Sequence, residues 1–217
     1  MPYAEIRQQV WETVQKLSAC GLIRLSAGNV SARTGDGHIA ITPSGVHYDR
    51  LQPEDIVIVD ADGRLIDGRG GLRPSSEFRL HTALLAARPD AGAVVHTHSV
   101  YALTFAALGR EIPLVSVELV AAGGPIPVAS YACPGTPAVG EGAAAVFRTR
   151  PELMSLLLQN HGLVALGPTL DKAYEIAYDV EVGAEVAYRA MLLGEPAALT
   201  PAQAAEIRAV YAASRQY

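Results

Sequence analysis

Three of the six histidines in this chain fall in two short stretches whose form suits metal binding. His96-Thr97-His98 closes the apolar run Ala93-Val94-Val95. On a strand, side chains alternate faces, so residues two apart point the same way and both imidazoles can reach one ion. His161 sits in Asn160-His161-Gly162, a tight turn between apolar strands expected over 156–159 and 163–166. Three imidazoles and one further ligand make an ordinary zinc shell, and a catalytic site keeps a position for water or substrate. Glu77 is the carboxylate that can complete the set. It falls in the first turn of a helix expected over 74–88, where an acid also suits the helix dipole, so local physics supports either role. His81 lies four residues on and shares a face with Glu77. It can orient the carboxylate, act as a ligand, or simply pack. His38 and His47 have no such context and read as surface or turn residues.

Three segments could grip an anion: Ser26-Ala27-Gly28-Asn29, Thr42-Pro43-Ser44-Gly45 and Pro74-Ser75-Ser76. Each offers backbone N–H groups or hydroxyls, and the last precedes a helix whose N-terminus favours negative charge. Taken singly, each is equally a plain turn or cap.

Several elements must position these residues. Ile6, Val10, Val14 and Leu17 recur at helical spacing, and Gly21 stops that helix. Residues 22–32 form a short Gly/Ser/Asn-rich segment. Strands are expected over 38–42, 56–59, 64–66, 93–98, 114–119 and 126–130. Helices are expected over 101–108, 140–149 and 170–193. A last helix starts at Thr200-Pro201-Ala202-Gln203, with Thr as cap, Pro in the first helical position and Gln three residues after the cap. This irregular mixture suggests a three-layer α/β or α+β domain.

The length fits one domain over residues 1–217. Half of the residues are hydrophobic and 18% are charged, a globular composition. A formal charge of −5 leaves no basic footprint for nucleic acid. Cys20 and Cys133 are far apart and in no paired motif, as in a reduced cytosolic protein. The first 17 residues carry charges throughout and do not read as a signal peptide. No stretch approaches a membrane span, and the most apolar region, 91–108, is broken by His96 and His98.

Six stretches occur in order along nearly the whole chain: Ala27-Gly28-Asn29-Val30-Ser31, Ile41-Thr42-Pro43-Ser44-Gly45, Pro74-Ser75-Ser76-Glu77, Val95-His96-Thr97-His98, Ala122-Gly123-Gly124 and Asn160-His161-Gly162. Together they resemble the class II aldolase/adducin family, and within it the L-fuculose-1-phosphate aldolase branch. The resemblance implies a three-layer α/β/α domain, its central mostly antiparallel sheet flanked by helices. It also implies a fourfold-symmetric homotetramer with sites at subunit interfaces. It implies that His96, His98 and His161 bind one Zn2+ per subunit. Glu77 would be a ligand in the free enzyme and the acid/base once substrate displaces it. Gly28, Asn29, Ser44, Gly45, Ser75 and Ser76 would line a phosphate pocket. The implied reaction is cytoplasmic: reversible cleavage of a ketose 1-phosphate into dihydroxyacetone phosphate and an aldehyde through an enediolate.

One position departs from the pattern. The fuculose-phosphate enzymes carry a Tyr, donated by a neighbouring subunit to the aldehyde oxygen, where this chain has Val117. Glu118, Tyr131, Tyr211 or Tyr217 are the candidates to replace it. The change makes a 5-deoxypentulose or methylthiopentulose phosphate an alternative to fuculose phosphate. An L-ribulose-5-phosphate 4-epimerase resembles the same motifs but has Asp at the Glu77 position. Related decarboxylases of phosphorylated sugar acids tend to lose the Ser-Ser-Glu pattern. Adducin-like interaction domains keep the fold and lose the metal ligands, all four of which are retained here.

Overall fold

The computed structural model describes residues 3–214. Helix α1, Ala4–Ala19, buries Val10, Val14 and Leu17. Strands β1 (Asn29–Arg33), β2 (Ile39–Ile41), β3 (Val57–Val59) and β4 (Leu65–Asp67) follow. Helix α2 (Phe78–Ala87) leads into β5 (Ala93–Thr97) and α3 (Val100–Leu108). Next come α4 (Glu118–Ala121), β6 (Val128–Ala129), α5 (Pro137–Thr149), β7 (Ser155–Leu158) and β8 (Gly162–Gly167). Helices α6 (Leu170–Leu193) and α7 (Pro201–Ser214) close the described chain. The Thr200–Gln203 capping box forms as the sequence predicts, with Gln203 N donating to Thr200 Oγ1 and Thr200 N to Gln203 Oε1.

All eight strands form one sheet in the order β4-β3-β2-β1-β5-β8-β7-β6. Every pairing is antiparallel except β6 with β7. Strand alternation splits the apolar residues into two cores. Val30, Val95, Leu163 and Ala165 pack with Val14 of α1, Phe105 of α3 and Ile176 of α6. Ile41, Val57, Val94 and Val164 pack on the other face with Leu80 and Leu84 of α2 and Phe147 of α5. The result is the expected three-layer α/β/α arrangement around a mostly antiparallel sheet. Every side chain named here is at most 3% exposed, and such burial contributes roughly 1.5–3 kcal/mol for each large aliphatic or aromatic one.

Five local expectations are corrected. Residues 22–32 contain four of the five residues of β1, a central strand. The expected strand over 114–119 is instead the isolated bridge Ile112–Ile126 followed by α4. Among the described residues no strand pairs with it; Val115 N turns back to Pro113 O. Leu119 packs against α6 at Gly183, where a Cβ would lie 2.4 Å from Leu119 Cγ. Helix α2 starts at Phe78, with Glu77 just before it, because Pro74 bridges Pro43 and Ser75 N bonds Thr42 O. The ladder of β6 covers two residues of the expected 126–130, and α5 starts at Pro137, after Thr136.

Candidate metal centre

Two adjacent strands set the floor of the site. Asn29 of β1 lies directly opposite His96 of β5 in the antiparallel register, so the two side chains share a face. His98 follows two residues later, beyond the end of β5. His161 comes from the β7–β8 turn, where Asn160 takes a left-handed conformation at φ 58°, a region Asn tolerates better than most residues. Gly162 lets this turn lie flat on the other ligands. A Cβ there would sit 2.3 Å from Thr97 O and within 3.3 Å of the His96 and His98 rings.

Glu77 completes the set. Its Oε2 is 3.1 Å from His96 Nε2 and its Oε1 is 3.0 Å from His161 Nε2. His96 and His98 bring their Nε2 atoms to 3.0 Å. One potential ligand atom from each of the four residues lies within 4.8 Å of every other. A tetrahedral ion with bonds of about 2.0–2.1 Å would space its ligands by about 3.3 Å. Two further observations fit such an ion. Two ring nitrogens 3.0 Å apart require a proton or a cation between them. Buried Glu77 Oε1 has only the His161 ring nitrogen, itself a candidate ligand, within reach among the described residues.

The protonation states of Glu77 and His98 suit a metal as well. Burial opposes ionisation of Glu77, but hydrogen bonds from His161 and His96, with their charges, outweigh it and hold the carboxyl well below the usual range. Burial, and then the charges of His96 and His161, push His98 down to about 4. An ionised Glu77 and a neutral His98 are the forms that bind a divalent ion. His96 Nδ1 donates to Leu163 O at 2.9 Å, which leaves Nε2 free as a ligand. His161 Nδ1 is buried without a partner among the described residues.

Behind Glu77 lies a buried polar column. Asn29 Nδ2 donates to Glu77 Oε2 at 3.1 Å, Asn29 Oδ1 bonds His81 Nε2, and Ser31 Oγ bonds His81 Nδ1 at 2.6 Å. His81 is therefore outside the ligand group. Burial, then the charge of His96, push its pKa down to about 3 against the pull of Glu77. Above pH 6.5 the ring is neutral both folded and unfolded. Below that, the unfolded ring takes a proton that the folded ring refuses, so stability is lost as pH falls towards 3. At pH 5 the loss is about 2 kcal/mol. Metal-free protein is expected to melt at lower temperature at pH 5 than at pH 7, and His81→Gln to show a smaller difference.

All six expected anion-binding residues, Gly28, Asn29, Ser44, Gly45, Ser75 and Ser76, line one cavity of about 310 Å³. Glu77, His98 and His161 share that wall, as do Pro134 and Gly135. Gly28 is required by close approach: its φ is +85°, and a Cβ would lie 2.7 Å from His96 O. The buried Tyr48 hydroxyl donates to the Gly28 carbonyl. A larger cavity, about 400 Å³, is lined by Val120, Lys172 and Arg208 among others and includes none of the four clustered residues. The convergent ligands, not volume, mark the site.

Of the residues considered in place of the missing Tyr, Glu118, Tyr131 and Tyr211 are all exposed and line no part of the 310 Å³ cavity. Tyr217 lies outside the described residues. His38 is half-buried beside Asp36 and His47 is exposed, both away from the cluster. Sequence reasoning missed Ser31 and Tyr48 as parts of the site. Ser31 had a signal, since it is two residues from Asn29 and shares its face; Tyr48 had none.

The sequence matches the family described as Class II Aldolase and Adducin N-terminal domain over residues 8–188. The chain belongs to this family. It is 40% identical over 192 residues to a 5-methylthioribulose-1-phosphate/5-deoxyribulose-1-phosphate aldolase of Rhodospirillum rubrum, covering 88% of this chain and 84% of that one. It is 38% identical over 193 residues to an L-fuculose phosphate aldolase of Escherichia coli, covering 88% and 86%. A solved L-fuculose 1-phosphate aldolase superposes with a TM-score of 0.89 at 30% identity, covering 95% of this chain and 96% of that one. These class II aldolase relatives are lyases. Among the described residues, no helix is long and apolar enough to cross a membrane.

Proposed function

We propose that this chain is a zinc-dependent class II aldolase that reversibly cleaves a ketose 1-phosphate into dihydroxyacetone phosphate and an aldehyde. One observation carries the reading: Glu77, His96, His98 and His161 converge at a cavity walled by Gly28, Asn29, Ser44, Gly45, Ser75 and Ser76. That pairing gives one electrophilic pole and one anion-binding pole, as a sugar phosphate needs.

When bound, zinc supplies Lewis acidity that stabilises negative charge developing on the ketone and hydroxyl oxygens. The chain's own residues do the rest. Backbone N–H groups and hydroxyls of the three loops hold the phosphate, with Ser75 and Ser76 ahead of the α2 N-terminus adding a favourable dipole. Fixing the phosphate holds the scissile bond in register. As the carbon–carbon bond breaks, its electron pair stays with the ketone fragment, while the other fragment's hydroxyl loses its proton and becomes the aldehyde. The hydroxyl proton passes to a base at the completed interface. Glu77, once substrate displaces it from the ligand group and it has taken a proton from solvent, gives that proton to the carbon of the ketone fragment. It is left as the carboxylate, which in the synthetic direction removes the proton again.

Val117 cannot take the hydroxyl proton, and Glu118, Tyr131 and Tyr211 of the same chain line no part of the cavity. We therefore place the aldehyde half of the site at an interface in a homotetramer, with a neighbouring subunit completing it. Val117 and Tyr131 are exposed in the single chain (42% and 61%), and we propose that they are interface residues of this assembly. We take the enzyme to work in the cytoplasm. The similarity to a methylthioribulose/deoxyribulose-phosphate aldolase and the Val117 departure favour a short, apolar aldehyde fragment as the second reading of specificity.

The test is a panel of L-fuculose 1-phosphate, L-rhamnulose 1-phosphate, 5-deoxyribulose 1-phosphate and L-ribulose 5-phosphate with zinc-loaded protein. Release of dihydroxyacetone phosphate from a ketose 1-phosphate is expected. Epimerisation of L-ribulose 5-phosphate without any release, or no reaction at all, would replace the aldolase with an epimerase or a non-catalytic domain.

A further inference from the structure

The buried column behind Glu77 has a direction, and that direction can be derived. Ser31 and His81 are both 0% exposed and Asn29 is 5% exposed. An ionised carboxylate only accepts hydrogen bonds, so Asn29 must present its NH2 to Glu77 Oε2. Its carbonyl oxygen, which also only accepts, is then left facing His81. The hydrogen on that bond must come from His81 Nε2. In a neutral ring His81 Nδ1 then accepts from the Ser31 hydroxyl. Each link leaves one orientation for the next.

We propose that His81, held by Ser31 as the Nε2–H tautomer, is a positioning residue that fixes the Asn29 carboxamide and through it the Glu77 carboxylate. Without it, the Asn29 amide can turn by a half-rotation and set its oxygen against the carboxylate. The ring prevents this by offering a donor where only the amide oxygen is accepted. Asn29 also lines the cavity, so the column ties the anion-binding wall to the ligand group. The inference rests on the proposed function only for the task given to Glu77.

The test has two readouts other than activity. Ring-nitrogen NMR of 15N-histidine-labelled wild type is expected to show His81 neutral with its hydrogen on Nε2. A hydrogen on Nδ1, or on both nitrogens, overturns the proposal, and this measurement decides even if a variant fails to fold. Zn2+ affinity by chelator competition is expected to fall about 10–100-fold in His81→Leu. His81→Gln, whose amide can donate to Asn29 and accept from Ser31, is expected to recover most of that loss. Unchanged affinity in His81→Leu, or no recovery in His81→Gln, overturns it as well. If both readouts come out as expected but no ketose phosphate is cleaved, the aldolase reading fails and the positioning role stands.

Discussion

Glu77→Gln is expected to lower kcat by about 10²–10⁴-fold, the range set by removing a positioned acid/base group, while the protein stays folded and still binds zinc. Glutamine has nearly the same shape and can still accept the hydrogen bond that Asn29 Nδ2 gives to Oε2. It cannot take or return a proton at the substrate carbon. Its second terminal atom becomes an NH2 facing His161 Nε2, 3.0 Å from the present Oε1, so one ligand to the ion is lost as well. Three imidazoles remain, the number of protein ligands in many catalytic zinc sites, so loading is expected at raised zinc concentration. The decisive comparison is kcat against zinc content in the same sample. A fully loaded Glu77→Gln protein that keeps kcat within tenfold of wild type would remove Glu77 from the acid/base role and leave it a ligand only.

The legible parts of this molecule are those where local pattern and tertiary role coincide. His96 and His98 could be paired from sequence because a strand has a period of two and the apolar run before them marks it as one. Helix α6 shows over its full length because its buried residues, among them Ile176, Val180 and Ala184, keep a helical period. The start of α7 shows because Thr200 and Gln203 cap it locally.

Where burial is polar, the pattern fails. Strand β1 is central, yet Asn29 and Ser31 face the site and only Val30 and Ala32 face an apolar core. The alternation that identifies a half-buried strand is therefore one of polar and apolar residues, as on a surface strand, although four of its five residues are buried. Glu77 was ambiguous for a different reason. Both a helix-dipole acid and a metal ligand favour a carboxylate beside a helix start, and only the arrival of His96 from β5 and His161 from β8's turn separates them. His81 needed the same long-range information, because Ser31 and Asn29 meet it across 50 and 52 residues of chain. The short helix α4 has an apolar sequence that fits a strand, and what decides against one is the absence of a pairing partner, a fact about the sheet.

His98→Ala and His96→Ala are both expected to bring activity to background, and they differ in stability. Each removes one of the convergent nitrogens, so each lowers zinc content below one ion per chain under conditions that saturate the wild type. His98 is only partly buried and lies beyond the end of β5. Truncating it leaves the sheet intact, so metal-free His98→Ala is expected to melt close to metal-free wild type. His96 is fully buried, and its Nδ1 donates to Leu163 O. Its removal deletes that buried hydrogen bond, worth about 0.5–1.5 kcal/mol net, and leaves a cavity in the sheet face, which lowers the melting temperature with or without metal. Zinc at about 100 times its dissociation constant stabilises a protein it binds only when folded by about 2.7 kcal/mol. The wild type is expected to show that rise on titration with zinc, and neither variant to show it at the same concentration. A His98→Ala protein stabilised by zinc as much as wild type would exclude His98 from the ligand set and leave the ion to Glu77, His96 and His161.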